Sequence, residues 1–178
     1  LGRLTLGRQN TLARDWAQAY GDAYGSEKLG LEEGGFTNTN NFKQLIFYAG
    51  SVTSTRFDNG IVYKKAFDTC IVAGLGYQLG EVVGDFSKNT TKSAALGYNG
   101  SNYLVAGYYN QVNVNSLIHR SYSVGGSYIF PLVRLNAGYF HYTAEQAAAI
   151  GNRKDNAYTV SAKLTPGGAL DYELGYHS

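Results

Sequence analysis

The sequence predicts an all-β fold, an antiparallel transmembrane β-barrel of which this chain carries about nine strands. Three observations point there. Apolar and polar residues alternate with a period of two over many segments, the mark of strands with two unlike faces. Several segments run to about ten residues; globular strands are usually about five or six, and a strand tilted across a bilayer needs ~9–11. The connections alternate long and short, as in a membrane barrel with short turns on one side and long loops on the other.

The elements follow in order. A first strand is expected near residues 2–9, where Leu4 and Leu6 alternate with Arg3 and Thr5. A second, near 56–65, puts Phe57, Ile61 and Tyr63 opposite Arg56, Asp58, Val62 and Lys64. A third, near 68–80, sets Ile71, Ala73, Leu75 and Tyr77 against Cys70, Val72, Gly74 and Gly76. The fourth, near 92–99, alternates Ala94, Leu96 and Tyr98 with Ser93, Ala95 and Gly97. The fifth, near 102–112, is apolar on both sets, so its facing stays open. Four more are expected near 120–130, 133–143, 156–165 and 169–177. Long connections fall at 10–55, 81–91, 113–119 and 144–155; short ones fall at 66–67, 100–101, 131–132 and 166–168. The short ones carry turn residues such as Asn99-Gly100, Pro131 and Pro166-Gly167-Gly168.

The stretch Asn10–Thr55 is too long for a passive connection. Its first part, Thr11–Tyr24, reads as a short helix, with Trp16, Ala17, Ala19, Tyr20 and Ala23 at helical spacing. Its later part is polar and Gly-rich, through Gly34-Gly35 and Thr37–Asn41. It carries Asp15, Asp22, Glu27, Glu32 and Glu33 against Arg14, Lys28 and Lys43. Beside Arg3, Arg56 and Lys64 of the flanking strands, such a loop would set a field across a narrowing. The ordinary alternative is that the acids are solvated surface charges.

Alternation does not by itself say which face meets what. In a soluble barrel or sandwich the apolar face packs inward. In a membrane barrel it meets hydrocarbon, and the polar face lines water. Tyr63, Tyr98, Tyr128 and Phe130 fall beside short turns, and Tyr77, Tyr122, Tyr139, Tyr158 and Tyr176 fall near the other end. Two aromatic rows with small aliphatics between them fit the two bilayer interfaces, though Tyr also favours strands in general. Gly74, Gly76, Gly97, Gly125, Gly138 and Gly175 lie on the polar set, where they leave space in the lumen or relieve strain where the sheet bends.

Composition removes other classes. The 14% aromatic content excludes a disordered chain. One cysteine excludes a disulfide framework, and Cys70 is expected as a small lumen-side residue. A formal net charge of +2 lacks the basic excess of a nucleic-acid binder. No metal-ligand cluster or phosphate-binding loop is visible, so no cofactor or metal is expected. His119, His141 and His177 sit in no recognisable catalytic motif.

The segments Leu4-Thr5-Leu6-Gly7-Arg8-Gln9, Arg56–Tyr63, Ala73–Glu81, Ala94–Tyr98 and Leu135–Tyr139 occur in that order around the long loop. In these the chain resembles the Gram-negative general-diffusion porins, especially the betaproteobacterial type. The resemblance implies a sixteen-stranded homotrimeric barrel in the outer membrane, in contact with membrane lipid and lipopolysaccharide, passing small hydrophilic solutes. It implies that residues 1–178 are one partial barrel domain, with 10–55 its inward-folded constriction loop. Arg3, Arg8, Arg56 and Lys64 would form the basic wall, faced by Asp15, Asp22 and Glu27. Porins of this type begin with a signal peptide and end on an aromatic residue; this chain has no Met and ends Tyr176-His177-Ser178. At roughly 20 residues per strand its length suits about half of a barrel, so a segment from the middle of one is expected. The functional expectation is a water-filled diffusion channel and no enzyme. The alternative is a soluble β-rich ligand-binding module whose tyrosine face is a core.

Overall fold

The computed structural model describes residues 1–34, 55–167 and 170–178. Nine strands form one antiparallel sheet in simple chain order. They are β1 (Arg3–Asn10), β2 (Arg56–Ala66), β3 (Ile71–Gln78), β4 (Thr91–Asn99), β5 (Tyr103–Val114), β6 (Leu117–Ile129), β7 (Val133–Ala144), β8 (Arg153–Leu164) and β9 (Tyr172–His177). β1 and β9 are the two ends of the order and do not pair with each other. One helix, α1 (Leu12–Ala17), follows β1. The stretch Thr37–Asn41, Lys43 and the turn residue Gly168 lie outside the described residues.

The two faces are inverted relative to a soluble protein. Leu6, Leu75, Leu96, Val124 and Val160 are exposed. Ser93, Asn110, Ser121, Asn136, Thr159 and Ser161 are buried. A water-soluble sheet with an apolar core would do the reverse. The open facing of β5 is settled: Leu104, Ala106, Tyr108, Asn110 and Val112 are buried, while Tyr103, Val105 and Tyr109 point out.

Four expectations are corrected. The connection at 113–119 is not long. Val114 pairs with Leu117, so β5 and β6 join through Asn115 and Ser116 alone. Both have positive φ, 51° and 74°, as a type I′ hairpin turn requires. Asn115 tolerates that conformation, and Asn113 Oδ1 accepts from the Ser116 N–H at 2.8 Å. A run of asparagines without glycine resembled a loop; it is the tip of a hairpin.

Phe57 does not share a face with Ile61 and Tyr63. It is fully buried, whereas those two are exposed. Gly7 pairs with Gly60 and Gln9 with Phe57, so Asp58 and Asn59 oppose the single residue Arg8. This is a β-bulge, and the extra residue reverses the alternation beyond it. Gly7, at φ 94°, supplies the backbone conformation that other residues resist. Cys70 is not on the inward side of β3. It is exposed in the β2–β3 turn at φ 64°. The helix is also shorter than Thr11–Tyr24, giving way after Ala17 to tighter turns such as Ala19 N–H to Trp16 O at 3.1 Å.

Candidate functional site

The feature that sets this sheet apart is the segment after β1, which turns back and lies on the polar face. Thr11 is the N-cap of α1, its Oγ1 accepting from the Arg14 N–H at 3.2 Å. Its own N–H donates to Thr55 O at 3.1 Å, which brings the two ends of the long loop together. Leu12, Ala13 and Trp16 of the helix are buried against β3, β4 and β5.

The inward glycines explain how the segment fits so closely. A Cβ added to Gly74 would lie 2.9 Å from Leu12 and 3.0 Å from Trp16. One added to Gly97 would lie 2.1 Å from Leu29, and one on Gly125 would lie 2.2 Å from the Tyr20 ring. The space these glycines leave is filled by the loop.

Polar contacts then lock the position. Tyr20 Oη donates to Ser123 Oγ at 2.9 Å, and Ser123 Oγ donates to Tyr139 O at 2.8 Å. The Tyr20 ring lies 6.0 Å from that of Phe140. Burial raises the Tyr20 pKa, opposed by the bond to Ser123. Asn99 clasps the backbone of Leu29 from both sides, accepting from its N–H and donating to its carbonyl, each at 2.9 Å.

Two buried cations anchor the ends. Lys64 Nζ meets Asp15 Oδ2 at 2.5 Å, with both side chains nearly sealed at 6% and 4% exposure. Lys64 also donates to Glu32 O at 2.8 Å, and its ammonium lies 5.8 Å from the centre of the Trp16 ring. Asp15 Oδ1 accepts from Asn10 Nδ2 and the Gly34 N–H, both at 2.9 Å. These donors satisfy the carboxylate, as a buried charge requires. On β7, Arg134 is buried and donates to the carbonyls of Asp22 and Ala23 at 3.2 and 3.0 Å.

The residues singled out in the sequence divide accordingly. Lys64 and Asp15 are in direct contact, and Asp22 is buried with its backbone held by Arg134. Arg3 pairs with Glu32 where both are exposed. Arg56 is exposed at the start of β2, close enough to Arg14 for its charge, after burial, to lower the Arg14 pKa. Glu27 is exposed, within electrostatic reach of Arg134. Arg8 stands apart, on the pleat opposite the buried Gln9, paired with Asp58 at 3.4 Å. The sequence pattern did not single out Arg134, Tyr20 or Asn99 as clamps on the loop. For Arg134 a signal existed: an arginine between Val133 and Leu135 on a regular strand must point to the polar side.

A polar inner face carrying a docked loop, an apolar outer face and long strands in simple antiparallel order together define a barrel wall of the outer-membrane type. Comparison with known families agrees: the Gram-negative porin profile matches residues 1–178. The chain belongs to the Gram-negative porin family. Its place is therefore in an outer-membrane β-barrel. No curated protein matches it. Among solved structures it is similar to the anion-selective porin from Comamonas acidovorans, at TM-score 0.75 and 20% identity, over 99% of this chain and 53% of that one. It is also similar to OmpT, an outer membrane protein of Vibrio cholerae, at TM-score 0.50 and 16% identity, over 99% of this chain and 65% of that one. The chain thus spans about half the length of the first of these and under two thirds of the second. At these identities the likeness is one of fold.

Proposed function

We propose that the parent protein is a passive diffusion channel for ions and small hydrophilic solutes, with residues 10–55 as its constriction loop. The observation that carries this reading is the loop held over a polar sheet face by buried charges, while the opposite face is apolar and exposed. A soluble binding module would leave that apolar face, with Leu75, Leu96, Val124 and Val160, in water.

Within the channel we assign two roles. Lys64, Asp15, Asp22 and Arg134 hold the loop against the wall. Arg3, Arg56 and Glu27, which stay exposed, together with Glu32, present charge to the passing solute; Arg8 lies nearer the rim at the bulge. The assembly implied by the porin resemblance is a homotrimer, which the mass of the detergent-solubilised parent protein would test. An enzymatic reading finds no support in the histidines: His119 Nδ1 meets the Tyr142 hydroxyl at 3.0 Å, and His141 Nδ1 meets Asn156 Oδ1 at 2.8 Å.

The test is conduction. The full-length parent protein in planar bilayers should form ohmic channels, and replacing Arg3 and Arg56 with Gln should move the reversal potential under a salt gradient toward cation preference. A parent protein that stays monomeric and soluble without detergent, and conducts nothing, would refute the reading.

A further inference from the structure

The docked loop leaves one part of the inner wall uncovered. The space at Gly74, Gly97 and Gly125 is taken, since a Cβ there would strike Leu12, Leu29 and Tyr20 of the loop. Gly175 of β9 differs. A Cβ there would meet Ser161 at 3.5 Å and His177 at 3.6 Å, both ordinary contacts, and no described atom of the loop comes within 4 Å. Gly175 is exposed, and it pairs with the buried Ser161 of β8, which puts it on the inner face. Its missing side chain leaves a notch in that face, with Glu173 and His177 on either side along β9.

Beside the notch stands a carboxylate that the fold satisfies on one oxygen only. The Glu173 side chain is 9% exposed, and its Oε1 pairs with Lys163 Nζ at 3.4 Å. Its buried Oε2 has no partner among the described residues. Folds leave few buried polar atoms unpaired, and each such atom asks for a water, an ion or a ligand. The surroundings are acidic. Register sets Arg134, Lys163 and Glu173 side by side on β7, β8 and β9. Both bases are already engaged: Arg134 with the carbonyls of Asp22 and Ala23, Lys163 with Glu173 and with Asp171 at 3.1 Å. Asp22 acts on His177, and Glu27 on Arg134. Two bases therefore face four carboxylates, Asp22, Glu27, Asp171 and Glu173. Tyr24 of the loop, 60% exposed, lies beside Glu173 and Lys163.

We propose that the Gly175 notch is a binding site for small primary ammonium solutes, the ammonium donating to Glu173 Oε2 and its carbon resting against Ser161 where a Cβ would lie. The exposed Tyr24 side chain turns aside into the lumen to admit it. A primary ammonium brings the positive charge that the patch favours and the N–H donor that the unpaired oxygen requires. The bond it makes is charge-assisted, the stronger kind. A quaternary ammonium brings the same charge without a donor, and an anion meets net repulsion. The site lies at the short-turn ends of β8 and β9, five or more strands from the Lys64–Asp15 pair on β2. It rests on the channel reading, which brings solutes past this wall, and names a class of solute that the wall retains.

The experiment uses the full-length parent protein in planar bilayers, its potassium conductance titrated with methylammonium chloride and, separately, with tetramethylammonium chloride. The expected result is a saturable fall in conductance with methylammonium and no saturable component with tetramethylammonium. Glu173→Gln keeps the shape and removes the charge, and should raise the half-saturating methylammonium concentration about tenfold. Gly175→Ala adds a methyl at ordinary contact distance from Ser161 and His177, so the strand accommodates it while the notch is filled; the half-saturating concentration should rise about fivefold. Asp85→Asn, on the β3–β4 connection, should titrate as the unmodified protein does. The proposal is overturned if Glu173→Gln or Gly175→Ala titrates unchanged, if Asp85→Asn shifts as much, or if the two cations act alike. Channels that conduct without any saturable methylammonium effect overturn this site alone, whereas absence of channels overturns the porin function.

Discussion

Replacing Lys64 with Met should release the loop from the wall. The pair it forms with Asp15 has a 2.5 Å contact and almost no water access. Removing the cation leaves a carboxylate under the loop with Asn10 Nδ2 and the Gly34 N–H as its remaining donors, and frees the Glu32 carbonyl as well. Breaking one side of a buried pair costs about 3–5 kcal/mol, because the surviving charge is stranded. When the loop lifts away, Asp15 regains water, so the whole cost falls on the docked state. At about 1.4 kcal/mol per factor of ten, the undocked fraction should rise roughly a hundred- to several-thousand-fold. The assay is limited proteolysis of the folded parent protein in detergent, reading cleavage between residues 18 and 34 while the barrel stays intact. Asp15→Asn in the Lys64→Met background should recover at least half of the lost protection, because no buried charge remains unpaired. A cycle with coupling below about 0.5 kcal/mol, or unchanged protection in Lys64→Met, would show that this pair does not hold the loop.

The other predictions probe the remaining clamps. Gly125→Ala would put a methyl 2.2 Å from the Tyr20 ring and 2.6 Å from the Ala137 carbonyl, and should destabilise docking by about 1–3 kcal/mol, seen as faster loop cleavage. Arg134→Met deletes two bonds to the carbonyls of Asp22 and Ala23 and should cost about 2–3 kcal/mol, exposing residues 21–27 to protease before residues 11–17. Burial raises the Tyr20 pKa above its ordinary 10.0, so its contribution is full below that value and is lost as pH rises past it. Docking should therefore weaken between pH 10 and 12, followed by the Trp16 emission shift, and Tyr20→Phe should flatten that dependence. Ser116→Gly, at φ 74°, should stabilise the β5–β6 hairpin by up to about 1 kcal/mol, read as slower unfolding in urea.

Much of the fold was legible because a strand between lipid and water writes its two faces into alternate residues. Leu135, Ala137 and Tyr139 against Arg134, Asn136 and Gly138 leave no doubt about either period or partner face. What alternation does not encode is a change of parity. The bulge at Asp58 and Asn59 inserts one residue and turns Phe57 inward, and little in the two strands marks it beyond the facing glycines, Gly7 of β1 and Gly60 of β2. The site was legible in kind but not in arrangement. Acids on the loop and bases on the wall were visible as charges; that Asp15 and Lys64 touch, while Arg3 meets Glu32, depends on a loop path no local pattern carries. The inward glycines carried a clue to that path, since a close-packed helix needs a floor without side chains.

The central claim is that the apolar face meets lipid and the polar face does not. Spin labels on single cysteines at Leu96, Val124 and Val160, and on their neighbours Ser123 and Thr159, test it directly in the reconstituted parent protein with Cys70 replaced by Ser. The three outward labels should relax with membrane-dissolved oxygen and ignore a water-soluble nickel chelate, and the two inward labels should not show that oxygen preference. Equal oxygen accessibility at Val124 and Ser123, or nickel access at Leu96 and Val160, would contradict the account.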